Sequence, residues 1–357
     1  MNLIILKISN KHSSITVLLA LLITCAEPTP NQYEYIEKDA SFRSEILKKE
    51  GGNFIQLSDG FTYYKKENMN SEKDAIILIH GFSVPSYIWN PTYQKLKNQG
   101  FCVIALDLYG RGFSDNLNTD YTDLLMANQV IELLDHLNIN HAHLVGLSNG
   151  GRIISQVAVL EPQLIQSLIY VSSNSFENIE ATTDISVSID EINEFISHYP
   201  EIALGQLEDF FDPTQFPDWS KKYTTLQQFK GFARALISTQ KNHTNMDAIH
   251  QKIDDLNLPV YTIWGVADRI VIYANFKDKL QKLLPNRKEF FIQKSAHLPQ
   301  MENKAAFEDI LINSILRKDS LKVNTQEGTL NLIKLPPLVS DDPIPLFKYP
   351  GSSKLCN

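Results

Sequence analysis

Cysteine is scarce in this chain. Cys25, Cys102 and Cys356 are the only three among 357 residues, too few for a disulfide framework, and none has the paired spacing of a zinc or thioredoxin-like site. Cys102 lies inside the apolar run FCVIALD and reads as a small core residue. Basic clusters are missing as well. Lys and Arg number 33 against 41 Asp and Glu, a formal net charge of -8. Proteins that hold a phosphate backbone concentrate cations on one face, so nucleic acid drops out as a partner. No internal repeat is present.

What the chain does have is an ordinary globular balance, with 43% hydrophobic and 21% charged residues, enough for a packed core along most of its length. The N-terminus differs. Lys7, Lys11 and His12 precede the apolar run Ile15 to Ala26, and EPTPNQ follows it. That is the layout of an export signal over residues 1–26. The run is shorter than the about 20 residues that a permanent membrane-spanning helix needs. The stretch LITC resembles a bacterial lipoprotein box, with Cys25 as the acylated residue, although Thr24 replaces the usual small residue. The chain is therefore expected to be exported, secreted or attached to the cell envelope through a lipid on Cys25; the alternatives are cleavage after Ala26, or an uncleaved N-terminus and a cytoplasmic protein.

A linker is expected over 27–52, and alternation begins near Asn53. NFIQL and FTYYK flank Ser58, Asp59 and Gly60 as an antiparallel hairpin would. Near-continuous apolar runs follow, AIILIHG, FCVIALDL, HLVGLS, SLIYVSS, VYTIWG and EFFIQ, as parallel strands buried on both faces require. Between them, LLMANQVIELLDHL and GGRIISQVAVL carry the three- and four-residue spacing of helices. The fold class is thus α/β, a mostly parallel, doubly wound sheet with an antiparallel start. Its core spans 53–175 and 259–317. The segment 176–258, after the sixth strand, is too long for a structureless loop and reads as a helical lid. Of its aromatics Phe195, Phe210, Phe211, Phe216, Trp219, Phe229 and Phe232, more than half are expected to form the lid's own core, and one or two to line an apolar substrate pocket. The tail 318–357, rich in Pro, Ser, Asp and Lys, reads as extended.

The chemistry centres on Gly146-Leu147-Ser148-Asn149-Gly150. The pentapeptide falls where a strand ends and a helix starts, and small neighbours let such a turn lift the serine hydroxyl above the sheet. A neutral hydroxyl is a poor nucleophile, so a base and a group to orient the base are required. Asp268, in GVADRIV, follows the strand VYTIWG; His297, in KSAHLP, follows EFFIQ. Taken singly, a turn aspartate and a surface histidine are the plainer readings. Together, three residues just past the carboxyl ends of three strands, in the order Ser, acid, His, form a triad pattern. Two backbone N–H groups are needed for the oxyanion; position nominates those of Phe82, in HGFS, and Asn149. His80 precedes the loop glycine and reads as structural rather than as a second base.

HGFSVPSYIW, DLYGRGFSD, GLSNGG, WGVADRIV and SAHLPQMEN, taken together, resemble the landmarks of the α/β-hydrolase superfamily, in its lidded single-domain form, over about Gly60 to Arg317. The resemblance implies the same triad, the same two oxyanion residues, and a structural turn at Asp107, Gly110 and Gly112. Serine at the elbow departs from the dehalogenases and epoxide hydrolases of that superfamily, which carry aspartate. The expected activity is hydrolysis of a carboxylic ester with a small or medium apolar acyl group, through an acyl-enzyme, with no metal or organic cofactor. The alternatives are carbon–carbon bond hydrolysis on the same triad and an exported ligand-binding protein that turns nothing over. A histidine base of ordinary pKa would lose activity below about pH 6.5.

Overall fold

Eight strands join into one sheet in the order β1-β2-β4-β3-β5-β6-β7-β8. The computed structural model describes residues 33–71 and 73–317. The export signal, Cys25 and the C-terminal tail lie outside them. The strands are β1 (Asn53–Gln56), β2 (Phe61–Glu67), β3 (Ala75–Ile79), β4 (Val103–Leu106), β5 (Ala142–Leu147), β6 (Ile165–Val171), β7 (Val260–Gly265) and β8 (Lys288–Ile292). β1 and β2 form the antiparallel hairpin, β2 runs antiparallel to β4, and all later pairings are parallel. This is the mostly parallel sheet with an antiparallel start that the alternating pattern predicts, and the α/β-hydrolase fold that the resemblance implies.

Two faces of cover explain why the parallel strands are apolar throughout. Ile77 and Ile79 of β3 pack into one core, against α3 (Asp123–His136) and α4 (Gly150–Leu160), while Ile76 and Leu78 point into the other, under α2 (Asn90–Asn98). All four are fully buried. The segment expected as a linker holds α1 (Ala40–Glu50), which Asp39 caps by accepting from the Phe42 N–H at 2.8 Å. Its single buried residue, Ile46, gives the apolar periodicity that betrays a helix almost nothing to show.

Between β6 and β7 the chain inserts the helical region α5 (Ile189–Ser197), α6 (Tyr199–Gly205), α7 (Trp219–Thr224), α8 (Phe232–Lys241) and α9 (Asp247–Asp255). Its aromatics mostly face one another. Phe210 stacks on Phe216 at 4.1 Å between ring centres and meets Trp219 edge-on at 5.2 Å. The chain before α1 ties this lid down. The Glu34 carboxylate accepts from the N–H groups of Gly231 (2.8 Å) and Ala233 (2.6 Å) at the start of α8, and from the Tyr199 hydroxyl (2.5 Å).

Strand register places the site. Ile79 pairs with Gly146, Leu147 with Val171, Val171 with Ile263, and Gly265 with Ile292, so β3 and β5 through β8 end close to one level. The loops that follow them share one edge of the sheet, where open α/β sheets bind ligands.

Candidate active site

Ser148 follows β5 with a φ of +50°, a left-handed conformation that a side-chain-bearing residue adopts only when its surroundings enforce it. The Ser148 N–H donates to the Val171 carbonyl at 2.8 Å, anchoring the turn to the neighbouring strand. Gly146 is required here: a Cβ on it would stand 2.5 Å from the Gly150 backbone. The turn therefore projects the hydroxyl over the sheet edge while α4 starts immediately behind it. This is the strand-turn-helix elbow that the pentapeptide implies.

Asp268 and His297 meet beside it. His297 Nδ1 lies 2.9 Å from Asp268 Oδ2, and both side chains are buried. The carboxylate can only accept, so Nδ1 carries the hydrogen and Nε2 is left as the basic nitrogen. Asp268 Oδ1 is held by the N–H groups of Ile270 and Val271, each at 2.9 Å. Ser148 and β8 are separated by β6 and β7, roughly 14 Å at ordinary strand spacing, so the histidine loop must double back. It crosses β7 at Gly265, where a Cβ would lie 1.9 Å from the Ala296 carbonyl oxygen. Only the missing side chain lets the loop pass.

Ser148 and His297 both wall a cavity of about 80 Å³. Phe82, Val84, Ile88, Leu147, Ile270 and Leu298 give it an apolar side; Gln206 and Asp209, from the lid, give it a polar one. None of the seven lid aromatics named above is among its walls. That corrects the expectation that one or two would line the substrate pocket. Phe210, Trp219, Phe229 and Phe232 are consumed in closing the lid on itself and on the sheet, and the aromatic wall comes from Phe82 instead.

Electrostatics also depart from the simple expectation. Burial by itself would lower the His297 pKa, but Asp268, with Asp209 and Glu177 beyond it, raises it to about 9. Asp209 is pushed up to about 7, first by burial, against the pull of His297 and with Asp268, Glu208 and Glu302 adding to the rise. The lid also supplies a direct link, since the His297 N–H donates to the Asp209 carbonyl at 3.0 Å. A histidine surrounded by three carboxylates holds its proton well above pH 6.5, so the acid limit expected from an ordinary imidazole moves upward.

His80 is structural, as its place before the glycine implied. It is fully buried, its Nδ1–H donates to the Gly81 carbonyl at 2.9 Å, and Nε2 accepts from the Leu108 N–H at 2.9 Å. Burial drives its pKa down to about 3. Asp107 likewise organises backbone, accepting from the N–H groups of Ser86 (2.9 Å) and Phe113 (2.8 Å). Asn149 follows Ser148 in the chain, Phe82 lines the same cavity, and a Cβ on Gly81 would lie 3.8 Å from Ser148 Oγ, which brings the loop after β3 alongside the hydroxyl. The sequence reading missed Asp209 and Gln206, because nothing local distinguishes a lid residue that faces the sheet edge from one that faces solvent. Among the described residues no cluster of three or more His, Cys, Asp or Glu side chains could hold a metal ion.

Fold and sheet-edge geometry define a class, the hydrolases built on an eight-stranded α/β sheet with a serine elbow. The profile of the alpha/beta hydrolase fold matches residues 74–252, and the chain belongs to that family. Among curated proteins it is similar to the "Uncharacterized hydrolase YugF" of Bacillus subtilis, 26% identical over 250 residues that cover 67% of this chain and 89% of the relative. It is also similar to the 2-hydroxy-6-oxononadienedioate/2-hydroxy-6-oxononatrienedioate hydrolase of Comamonas testosteroni, 24% identical over 287 residues that cover 76% and 98% of the two chains. Among solved structures, the esterase of Exiguobacterium antarcticum superposes with a TM-score of 0.62 at 18% identity, covering 74% of this chain and 98% of that one. That likeness is one of fold.

Proposed function

We propose that the protein is a serine hydrolase that cleaves carboxylic esters with a short acyl group through an acyl-enzyme intermediate. One observation carries the reading: a serine held in a left-handed turn and a histidine oriented by a buried aspartate open onto the same small cavity. In this proposal His297 Nε2 takes the proton as Ser148 Oγ attacks the ester carbonyl. The oxyanion of the tetrahedral intermediate accepts from the backbone N–H groups of Phe82 and Asn149. Its collapse expels the alcohol, which receives the proton from His297. A water molecule, deprotonated by the same imidazole, then releases the acid and restores Ser148. Asp268 keeps the imidazole in the productive tautomer throughout.

A cavity of about 80 Å³ is small beside the roughly 300–1,000 Å³ of pockets that take drug-sized ligands, which supports a short acyl group. Its charge speaks against the carbon–carbon alternative. The substrate in the name of the Comamonas relative is a dicarboxylate, whereas the walls here carry no lysine or arginine to pair with a carboxylate at the far end of a substrate. A neutral ester suits that wall better than a dianion. Export, with or without a lipid on Cys25, belongs to the proposal on the strength of the N-terminal pattern alone; absence of label after growth with a radioactive fatty acid would remove the lipid.

Replacing Ser148 by Ala should abolish hydrolysis of a p-nitrophenyl ester while the circular dichroism spectrum stays unchanged. A fluorophosphonate probe should label wild-type Ser148 and nothing else. Undiminished hydrolysis by the variant would overturn the assignment, and a folded wild type that refuses the probe would favour a protein that binds without turnover.

A further inference from the structure

Both residues nominated for the oxyanion hole are tied to the lid. His243, in the loop after α8, has its Nε2 at 2.7 Å from the Asn149 side-chain oxygen. An amide oxygen can only accept, so Nε2 carries the hydrogen and the ring donates. The ring is buried, and it meets the Phe82 ring edge-on at 6.2 Å between centres. Burial first, then the nearby Arg152 and Arg111, hold its pKa well below the ordinary value. Both effects favour the neutral ring, whose Nε2–H donates to Asn149.

The second tie reaches Phe82. Arg111, which follows β4, is fully buried; its Nε donates to the Phe82 carbonyl at 2.7 Å, one Nη to the Tyr109 carbonyl at 3.2 Å, and the other to Thr239 Oγ1 of α8 at 2.8 Å. Thr239 in turn donates to the Ala235 carbonyl within the helix, at 2.8 Å. The hydroxyl thus offers Arg111 its lone pair in one orientation. A buried guanidinium whose hydrogen-bond partners are two carbonyls and a hydroxyl, with the Phe82 and Tyr121 rings beside it, is an expensive arrangement, and it spans from the lid helix to the loop beside Ser148.

We propose that α8 and the loop after it are a positioning element for the oxyanion hole, acting on Asn149 through His243 and on Phe82 through Thr239 and Arg111. The proposal rests on the reading of Phe82 and Asn149 as the N–H donors. Such donors help only when they point at the oxygen of the tetrahedral intermediate from 2.7–3.1 Å, so a peptide that can rock loses catalytic value without losing affinity for the planar ester. Lid contacts reach both residues, so seating of the lid and competence of the hole become one event.

The test uses the full chain with His243→Leu, Thr239→Val and the conservative His243→Gln and Thr239→Ser. Kinetics on p-nitrophenyl acetate are measured beside inhibition by butylboronic acid, which forms a tetrahedral anion on the serine. His243→Leu and Thr239→Val should each lower kcat about 10- to 100-fold, leave KM within about twofold, and weaken the boronate in proportion to the loss in kcat. The conservative pair should recover most of the activity, since each keeps the required donor or acceptor. Thr239→Val is nearly isosteric and keeps the question open to an answer should His243→Leu fail to fold. A purely structural tie would lower the melting temperature with kcat and boronate affinity unchanged; that result, or a loss confined to KM, overturns the proposal. Failure of the underlying reading is seen separately, as wild-type Ser148 that takes no fluorophosphonate.

Discussion

Asp268 gives one carboxylate oxygen to His297 Nδ1 at 2.9 Å and the other to the backbone N–H groups of Ile270 and Val271. An acid anchored in this way cannot turn, and it fixes which imidazole nitrogen carries the hydrogen, leaving Nε2 as the basic one. Asp268→Asn keeps the shape and offers an amide that can donate, which favours the wrong tautomer. The expected loss in kcat is about four orders of magnitude with little change in KM, read by steady-state hydrolysis of a p-nitrophenyl ester. A loss of tenfold or less would remove Asp268 from the triad.

The pH dependence follows from the raised pKa of His297. Protonated imidazole cannot accept the serine proton, and a pKa raised to about 9 keeps it protonated at neutrality. kcat/KM should therefore climb as pH rises through about 9 instead of levelling off above the ordinary histidine value near 6.5. Asp209→Asn removes one of the negative charges that stabilise the imidazolium, so the rising limb should move to lower pH. Profiles of both proteins from acid to alkaline buffer decide it; a wild-type midpoint near 6.5, or one indifferent to the substitution, contradicts the electrostatic account.

Substrate choice should follow the cavity walls. Acetyl and butyryl esters should be hydrolysed with higher kcat/KM than octanoyl or longer esters, because about 80 Å³ leaves little room beyond a few methylenes. Among esters of equal length, a free carboxylate on the acyl group should depress kcat/KM, and Asp209→Asn should relieve part of the penalty. Equal rates for octanoyl and acetyl esters would refute the size argument, and an undiminished penalty in the variant would refute the charge argument.

Behind the elbow a fully buried guanidinium pairs with a partly buried carboxylate. Arg152 of α4, with no side-chain exposure, reaches Asp123 of α3 through Nε at 3.1 Å and an Nη at 2.7 Å, and the same Nη donates to the Thr244 carbonyl at 2.7 Å. Removing the carboxylate leaves a buried cation without its partner, so Asp123→Ala should destabilise the fold by about 3–5 kcal/mol. Urea titration followed by circular dichroism measures it. A change below about 1 kcal/mol, the range of exposed pairs, would mean that solvent reaches the guanidinium.

Much of this architecture was legible because burial on both faces forces parallel strands into unbroken apolar runs. AIILI and VYTIWG need no tertiary information to be read as strands, and both stand where expected, as β3 and β7. The helix α1 was not legible: with only Ile46 buried, its sequence lacks an apolar stripe. The lid aromatics misled for a different reason. A small helical insertion has to build its own core, and a phenylalanine packed there has the same local sequence as one that faces a substrate.

Sequence alone determined the strand order of the chemistry, Ser148 at a strand-turn-helix junction and Asp268 and His297 past later strands, because local backbone rules and apolar periodicity act over a few residues at a time. Tertiary structure alone decided that the His297 loop crosses β7 at Gly265 to meet Asp268, that Asp209 comes down from the lid to raise the imidazole pKa, and that His243 reaches Asn149. Those are contacts between segments tens of residues apart, and their strength depends on distance and burial, which exist only once the chain has closed around them.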